Sequence, residues 1–133
     1  MDKRNAVRTV FEQGWNHENF RPIESVLAEE FEFHVGDTTQ TMTLSDLRET
    51  VRRWHIAFPD FHFDVHSVVA SGDRAAAHAT LRGTHRGPWS GPEPTGRAIS
   101  AEHMFFFRFE NGRIAEVWEV LDRSELRRQL VDG

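Results

Sequence analysis

The stretch that decides the fold is HMFFFRFENGRIAEVWEVL, residues 103–121. Apolar side chains recur at every second position on both sides of Asn111-Gly112, a dipeptide typical of the tight turns that join antiparallel strands. The pattern therefore predicts a β-hairpin in this part of the chain. One of its two faces is apolar enough to cover a hydrophobic core.

Two registers are open for this hairpin, and they differ in what lies opposite Glu119. A two-residue turn pairs Glu110 with Arg113 and places Glu119 opposite Met104. A three-residue loop that ends in a left-handed glycine shifts the pairing by one residue and places Glu119 opposite His103. A slip of one residue moves every side chain to the other face, so the hydrophobic pattern has to decide.

The second register, in which Phe109 pairs with Arg113 and Gly112 is left-handed, separates polar from apolar side chains better, and we favour it. The apolar residues of its inner face are Phe105, Phe107, Phe109, Ala115, Val117 and Leu121. Only His103 and Glu119 interrupt this face. The hairpin is therefore expected to hold an imidazole and a carboxylate against each other on an apolar wall.

A carboxylate on an apolar wall loses hydration, so its charged form is costly, and such a group is suited to moving protons near neutral pH. Glu119 is therefore the candidate general acid/base, and His103 is the candidate partner that orients it. A simple structural ion pair between two strands is the alternative, and it stays open at this point.

The first half of the chain is predicted to be mainly helical, because apolar residues recur there at three- and four-residue spacings. A first helix is followed by a short one that begins at Pro22. A third begins with a capping box of Thr43 and Asp46 and is stopped by Pro59. A strand over residues 31–35 separates the second helix from the third.

After Pro59 the apolar period changes to two, which is typical of strands. We expect antiparallel strands near residues 61–70, 74–86, 97–109 and 113–121, and a last helix from Ser124. Residues 87–96 contain three glycines and three prolines and must form a loop. Together these elements predict one α+β domain over residues 1–133, with helices packed on one face of a curved antiparallel sheet around a pocket.

Composition excludes several classes of protein. The chain has 133 residues, and 16 Lys and Arg against 21 Asp and Glu give a net charge of −5, which argues against a nucleic-acid partner. It has no cysteine and no tyrosine. Disulfide scaffolds, thiolate zinc sites and catalysis by either residue type are therefore excluded. His62 and His66 would lie roughly 13 Å apart along a strand, so no metal site is expected.

No apolar run approaches the roughly 18 residues that span a membrane, and the N-terminal residues lead into polar sequence. We therefore expect a cytoplasmic protein with no membrane contact.

Four motifs make the chain recognisable. They are Phe58-Pro59-Asp60, Gly83-Thr84-His85-Arg86-Gly87, Pro94-Thr95-Gly96-Arg97 and Asn111-Gly112-Arg113-Ile114. In this order they closely resemble the SnoaL-like polyketide cyclases of the NTF2-like superfamily. The resemblance implies a cone-shaped α+β fold and cofactor-free ring closure by intramolecular aldol condensation.

The resemblance also implies which residues act. The family's general acid/base, an aspartate on the last strand, falls at Glu119. The family's assisting histidine falls at Phe105, and His103 lies two residues earlier on the same face. The place of an asparagine on the family's first strand is filled by Phe33 or His34.

The expected ligand is a hydrophobic carbonyl compound, bound without metal or other cofactor. The residues predicted to line its pocket are Trp15, Phe33, His34, Trp54, Phe58, Trp89, Phe105, Phe107 and Val117. Two other hypotheses remain open. One is a binding domain that kept the pocket without the chemistry, and the other is an interaction module. Met104, Phe106 and Trp118, on the outer face of the hairpin, are expected to form a homodimer contact.

Overall fold

The computed structural model describes residues 2–89, 91 and 93–131. The strands are β1 (Leu27–Val35), β2 (Thr38–Met42), β3 (His62–Ser71), β4 (Arg74–Thr84), β5 (Ala98–Glu110) and β6 (Arg113–Leu121). The helices are α1 (Lys3–Thr9), which continues as a π-helical stretch over Val10–Trp15, then α2 (Leu44–Ala57) and α3 (Arg123–Val131), with a 3-10 turn at Arg21–Ile23. The predicted α+β class is confirmed.

The six strands form one curved, open sheet in the order β2-β1-β6-β5-β4-β3. Strands β3 to β6 form the antiparallel meander predicted from the sequence. The expectation of a wholly antiparallel sheet is wrong at one place, because β1 runs parallel to β6. The chain passes from β2 through α2 to β3 at the opposite edge of the sheet, and the meander then returns to place β6 beside β1. Two parallel strands need a long connection of this kind.

The turn of the β5–β6 hairpin differs from the favoured one. Asn111 and Gly112 both have positive φ, at 53° and 77°, and Glu110 pairs with Arg113. The turn therefore has two residues, and the predicted three-residue loop is wrong, although Gly112 is left-handed as expected. Asparagine tolerates the left-handed conformation better than most residues, which allows the tighter turn.

A bulge in β6 then restores the predicted faces. Pairing on the two sides of Ala115 differs by one residue, so Ala115 is the extra residue of the bulge. Beyond it Glu119 lies opposite Phe105, and His103 lies opposite Leu121. The expected direct pairing of Glu119 with His103 is therefore wrong by two residues. Because a shift of two residues keeps each side chain on its own face, both groups still lie on the inner face.

The helical half packs on this inner face of the sheet. The ring of Phe11 lies 5.2 Å from that of Phe63, 4.9 Å from that of Phe105 and 6.3 Å from that of Phe107, each near perpendicular. Edge-to-face contacts of this kind are favourable beyond the area that they bury. The capping box predicted at the start of α2 is present.

Two of the recognisable motifs tie the end of α2 to the end of β4. A Cβ on Gly83 would lie 2.8 Å from the Cβ of Phe58, and a Cβ on Gly87 would lie 2.2 Å from the carbonyl oxygen of Ile56. Asp60 accepts hydrogen bonds from the N–H and the hydroxyl of Thr84, at 2.6 and 2.8 Å. Burial opposes ionisation of Asp60, but these bonds outweigh it and lower its pKa. The motifs therefore fix the position of α2 over the sheet.

None of the helices in the described part of the chain is long and apolar enough to cross a membrane.

Candidate active site

The closed end of the space between helices and sheet is filled by side chains. What remains is a cavity of about 20 Å³, which has room for about one water. Its lining residues are all apolar: Val10, Phe11, Trp15, Leu27, Phe31, Phe33, Leu47, Phe105, Phe107, Ile114 and Val117. This cavity forms the floor of the site and is too small for an organic ligand.

The open end holds a cleft of about 340 Å³, a volume within the usual range for small-molecule sites. Its apolar lining residues are Trp15, Phe33, Val35, Met42 and Trp54. Its polar and charged lining residues are Thr38, Gln40, Thr50, Arg53, Glu119 and Arg123. The cleft therefore combines apolar and aromatic surface with polar groups that can fix the orientation of a small ligand.

Glu119 lies where the cleft meets the buried floor. It stands on β6 between Val35 of β1 and Phe105 of β5. Its side chain is 10% exposed, and its Oε2 lies 2.6 Å from Nε2 of His103, whose side chain is 1% exposed. The contact expected from the face pattern is therefore present, although it runs diagonally across the two strands.

The surroundings of His103 fix its tautomer. Its ring stacks on Phe105 at 5.3 Å and meets the edge of Phe63 at 5.0 Å. Its Nδ1 is buried and finds no hydrogen-bond partner among the described residues. A buried N–H without a partner is costly, so the ring proton belongs on Nε2, where it is donated to Glu119. The imidazole therefore donates from Nε2 and fixes the orientation of the Glu119 carboxylate.

The structure brings six of the nine predicted pocket residues to these two spaces. Trp15 and Phe33 line both, and Trp54 lines the cleft. Phe105, Phe107 and Val117 line the floor. Their contact with a ligand stays a prediction.

The structure places His34 outside the predicted pocket. Its Nε2 lies 2.7 Å from Oε2 of Glu116 and its Nδ1 lies 2.9 Å from the hydroxyl of Thr39. Its ring stacks on Trp118 at 5.1 Å. Because side chains alternate along β1, a histidine between the inward Phe33 and Val35 must point to the outer face. Assigning His34 to the pocket is therefore wrong.

Phe58 and Trp89 support the cleft wall from behind. The ring of Trp54 lies 5.9 Å from that of Phe58 and 5.7 Å from that of Trp89. Neither Phe58 nor Trp89 lines the cleft itself. Trp89 instead lies beneath the guanidinium of Arg123, which is 5.3 Å from its ring.

Sequence reasoning missed both arginines of the cleft. Arg53 and Thr50 lie three residues apart on α2 and so share one face of that helix, but neither was singled out from the sequence. Arg123 reaches the cleft only through the packing of α3, and its sequence neighbourhood gives no signal for that. Thr38 and Gln40 belong to β2, a strand that was not predicted.

Within the described residues, no three His, Asp or Glu side chains are placed to hold a metal ion. His62 lies 3.3 Å from Asp64, and His66 bonds the hydroxyl of Thr80 at 2.6 Å. The two histidines therefore have separate partners.

Solved structures show which class of fold this is. TsrD from Streptomyces laurentii is 26% identical with a TM-score of 0.82, and 100% of each chain is covered. A SnoaL-like polyketide cyclase from Agrobacterium tumefaciens is 25% identical with a TM-score of 0.78, over 98% of this chain and 99% of the other. AclR, a proposed hydroxylase from Streptomyces galilaeus, is 26% identical with a TM-score of 0.79, over 98% and 82%. The fold is that of the NTF2-like proteins, as predicted.

The family model described as SnoaL-like polyketide cyclase matches residues 5–130. Since this match spans nearly the whole sequence, the chain belongs to the SnoaL-like polyketide cyclase family, and the resemblance read from the motifs is confirmed. No curated protein sequence matches the chain.

Proposed function

We propose that the protein is a cofactor-free acid/base catalyst that closes a ring in a hydrophobic carbonyl compound by intramolecular aldol condensation or performs a related isomerisation. The observation that carries the proposal is the position of Glu119. It is the one acidic residue among the described lining of the cleft, and its carboxylate is held by the buried imidazole of His103. Membership of the family supports the reaction class.

In the proposed reaction Glu119 takes a proton from a carbon flanked by two carbonyl groups. The resulting enolate carbon attacks the carbon of a third, more distant carbonyl group in the same molecule. A carbon–carbon bond forms, and the oxygen of the attacked carbonyl becomes an alkoxide. The neutral Glu119 then returns the proton to that oxygen, and the carboxylate is restored. Because the two carbonyls already acidify the carbon, a carboxylate is a strong enough base.

The chain contributes orientation as well as the base. His103 occupies Oε2 of Glu119, so Oε1 is the oxygen that can accept a substrate proton. Trp15, Phe33 and Trp54 provide flat apolar surface around it. Holding a flexible chain folded between such surfaces brings the enolate carbon close to its target carbonyl.

Substitution of Glu119 by glutamine tests the proposal, because it keeps the shape and removes the exchangeable acid. We expect Glu119→Gln to lower kcat on β-dicarbonyl polyketide analogues by about 100-fold to 10,000-fold, with ligand affinity retained. The matched control is Glu116→Gln on the same strand, which faces outward. Equal turnover by wild type and Glu119→Gln overturns the catalytic role.

A binding domain without catalysis is the second candidate, and Phe105 favours it. This residue stands where the family's assisting histidine is expected, and its ring stacks on that of His103 but cannot donate a hydrogen bond. Tight binding of an aromatic polyketide without turnover by either wild type or Glu119→Gln would establish this reading.

We also propose that the protein acts in the cytoplasm.

A further proposal is that a second copy of the chain covers the outer sheet face. Val69, Met104, Phe106 and Val120 are 63%, 48%, 44% and 66% exposed there. An exposed apolar face of this kind is typical of an interface between subunits. We expect light scattering to give twice the chain mass of 15.4 kDa, and Phe106→Glu to reduce it to a single chain. A monomeric wild type contradicts the proposal.

A further inference from the structure

We propose that the ligands of the cleft carry a carboxylate, which Arg123 and Arg53 bind at the rim while the apolar body of the ligand lies against the aromatic walls. The reacting end of such a ligand would then reach Glu119. Only that last step rests on the proposed function, since anion binding at the rim does not depend on catalysis.

The charge of the cleft differs from that of the whole chain. The chain carries a net charge of −5, yet the described lining of the cleft contains two arginines and one carboxylate. The lining therefore carries one more positive than negative charge in a protein that is acidic as a whole, and such a local excess favours anionic ligands.

The charged groups are arranged by depth. Glu119 lies at the inner end with a side chain that is 10% exposed, whereas the side chain of Arg53 is 66% exposed and Arg123 is also exposed. Trp15, at 4% exposed, forms part of the apolar lining of the same cleft. A ligand that fits this arrangement has an apolar body with an acidic group at one end.

The guanidinium of Arg123 contacts an aromatic ring and has no hydrogen-bond or ion-pair partner in the described part of the chain. Its guanidinium lies over the ring of Trp89 at 5.3 Å, and Trp89 packs on Trp54. Stacking on an aromatic face orients a guanidinium without using its N–H groups. No carboxylate pairs with Arg123 among the residues that the structure describes, so its planar fork is available for a bidentate contact with a carboxylate.

Arg53 is the weaker of the two anchors. Its Nη1 lies 3.3 Å from Oε1 of Glu49, in an exposed pair four residues apart on α2. Exposed pairs of this kind contribute little stability, so a ligand carboxylate can compete for the guanidinium. We therefore expect Arg53 to contribute less than Arg123.

The test compares two probes of closely similar shape, the anionic anthracene-2-carboxylate and the neutral anthracene-2-carboxamide, by isothermal titration near neutral pH. We expect wild type to bind the carboxylate about tenfold more tightly than the amide, as one charge-assisted hydrogen-bonded contact in a partly open site should allow. Arg123→Gln should remove most of this preference, because it lowers the affinity for the carboxylate more than the affinity for the amide. Arg53→Gln should remove a smaller part.

Arg52→Gln is the matched control. Arg52 is the sequence neighbour of Arg53 and is equally exposed, but it pairs with Glu18 at 3.5 Å and lines a different groove. We expect this variant to keep the preference for the carboxylate. An equal loss in Arg52→Gln and Arg123→Gln would show a general field effect and overturn the assignment.

Two further outcomes overturn the proposal. One is an amide that binds wild type as tightly as the carboxylate, and the other is the absence of binding by both probes to folded protein up to their solubility limits. Glu119→Gln separates this inference from the catalytic one. If it retains both turnover and the preference for the carboxylate, the catalytic proposal fails and the anion site stands.

Discussion

Strand β6 carries two carboxylate–histidine pairs, one on each face of the sheet, and their surroundings differ. The inner pair joins Glu119 to His103 at 2.6 Å, and the outer pair joins Glu116 to His34 at 2.7 Å. The outer carboxylate also accepts a hydrogen bond from Arg108 at 2.9 Å. The inner carboxylate has no such bond from an arginine among the described residues.

This difference separates a structural carboxylate from a reactive one. The hydrogen bond from Arg108, opposed by burial and helped by the bond from His34, holds the pKa of Glu116 below its usual value of 4.5. The same bond raises the pKa of Arg108. A carboxylate fixed as an anion by a guanidinium is a poor proton carrier, whereas a carboxylate that is held by an imidazole and by no arginine of the described residues can accept a proton and return it.

The histidines should differ most clearly in turnover. We expect His103→Gln to lower kcat about tenfold, because the amide can still donate to Glu119 but does not reproduce the geometry of the stacked ring. His34→Gln should change kcat by less than about twofold, since His34 faces away from the cleft. Steady-state kinetics on one substrate measures both. A loss in His34→Gln equal to that in His103→Gln would remove the distinction between the faces.

For stability the order should be reversed, so that substitution of the outer carboxylate has a larger effect than substitution of the inner one. We expect Glu116→Gln to lower the free energy of unfolding by about 1 kcal/mol, because it weakens a charge-assisted contact between β5 and β6. Glu119→Gln should leave stability unchanged or slightly higher, since it removes a poorly hydrated charge. Urea titrations of the two variants measure this, and a larger loss in Glu119→Gln would contradict it.

The smallest predicted effect is on the free energy of unfolding at acidic pH. A carboxyl whose pKa is lowered on folding stabilises the folded state above its unfolded pKa, and this contribution is lost as the pH falls through the folded pKa. The stability difference between wild type and Glu116→Gln should therefore be constant only well above pH 4.5 and should close as the pH falls through and below that value. Unfolding curves through this range measure it. A difference that grows in acid would contradict the assignment.

The hairpin shows how far the sequence goes. Its apolar alternation and the Asn111-Gly112 turn predict two strands and the correct face for Glu119. The bulge at Ala115 was not predicted, because the consecutive apolar residues Ile114 and Ala115 are both buried and so fit no strict alternation. The prediction had the wrong turn length and lacked the bulge, and each of these errors shifts the register by one residue. Because the two shifts add to two residues, Glu119 still lies on the predicted face.

The edge of the sheet shows where the sequence runs out. Strand β2 is exposed at every position except Met42, so it has neither an alternating pattern nor a core face to reveal it. The outward orientation of His34 could have been predicted, because Phe31, Phe33 and Val35 already define the inner face of β1. Arg123 was not, since only the packing of α3 brings it to the cleft.

The central claim is that Glu119 takes a proton from carbon. The most direct test follows deuterium exchange by NMR in D₂O, at the carbon between the carbonyls of an aryl β-ketoester that cannot cyclise. We predict that wild type and Glu116→Gln accelerate this exchange and that Glu119→Gln leaves it at the rate of the buffer alone. Exchange by Glu119→Gln as fast as by wild type would contradict the account.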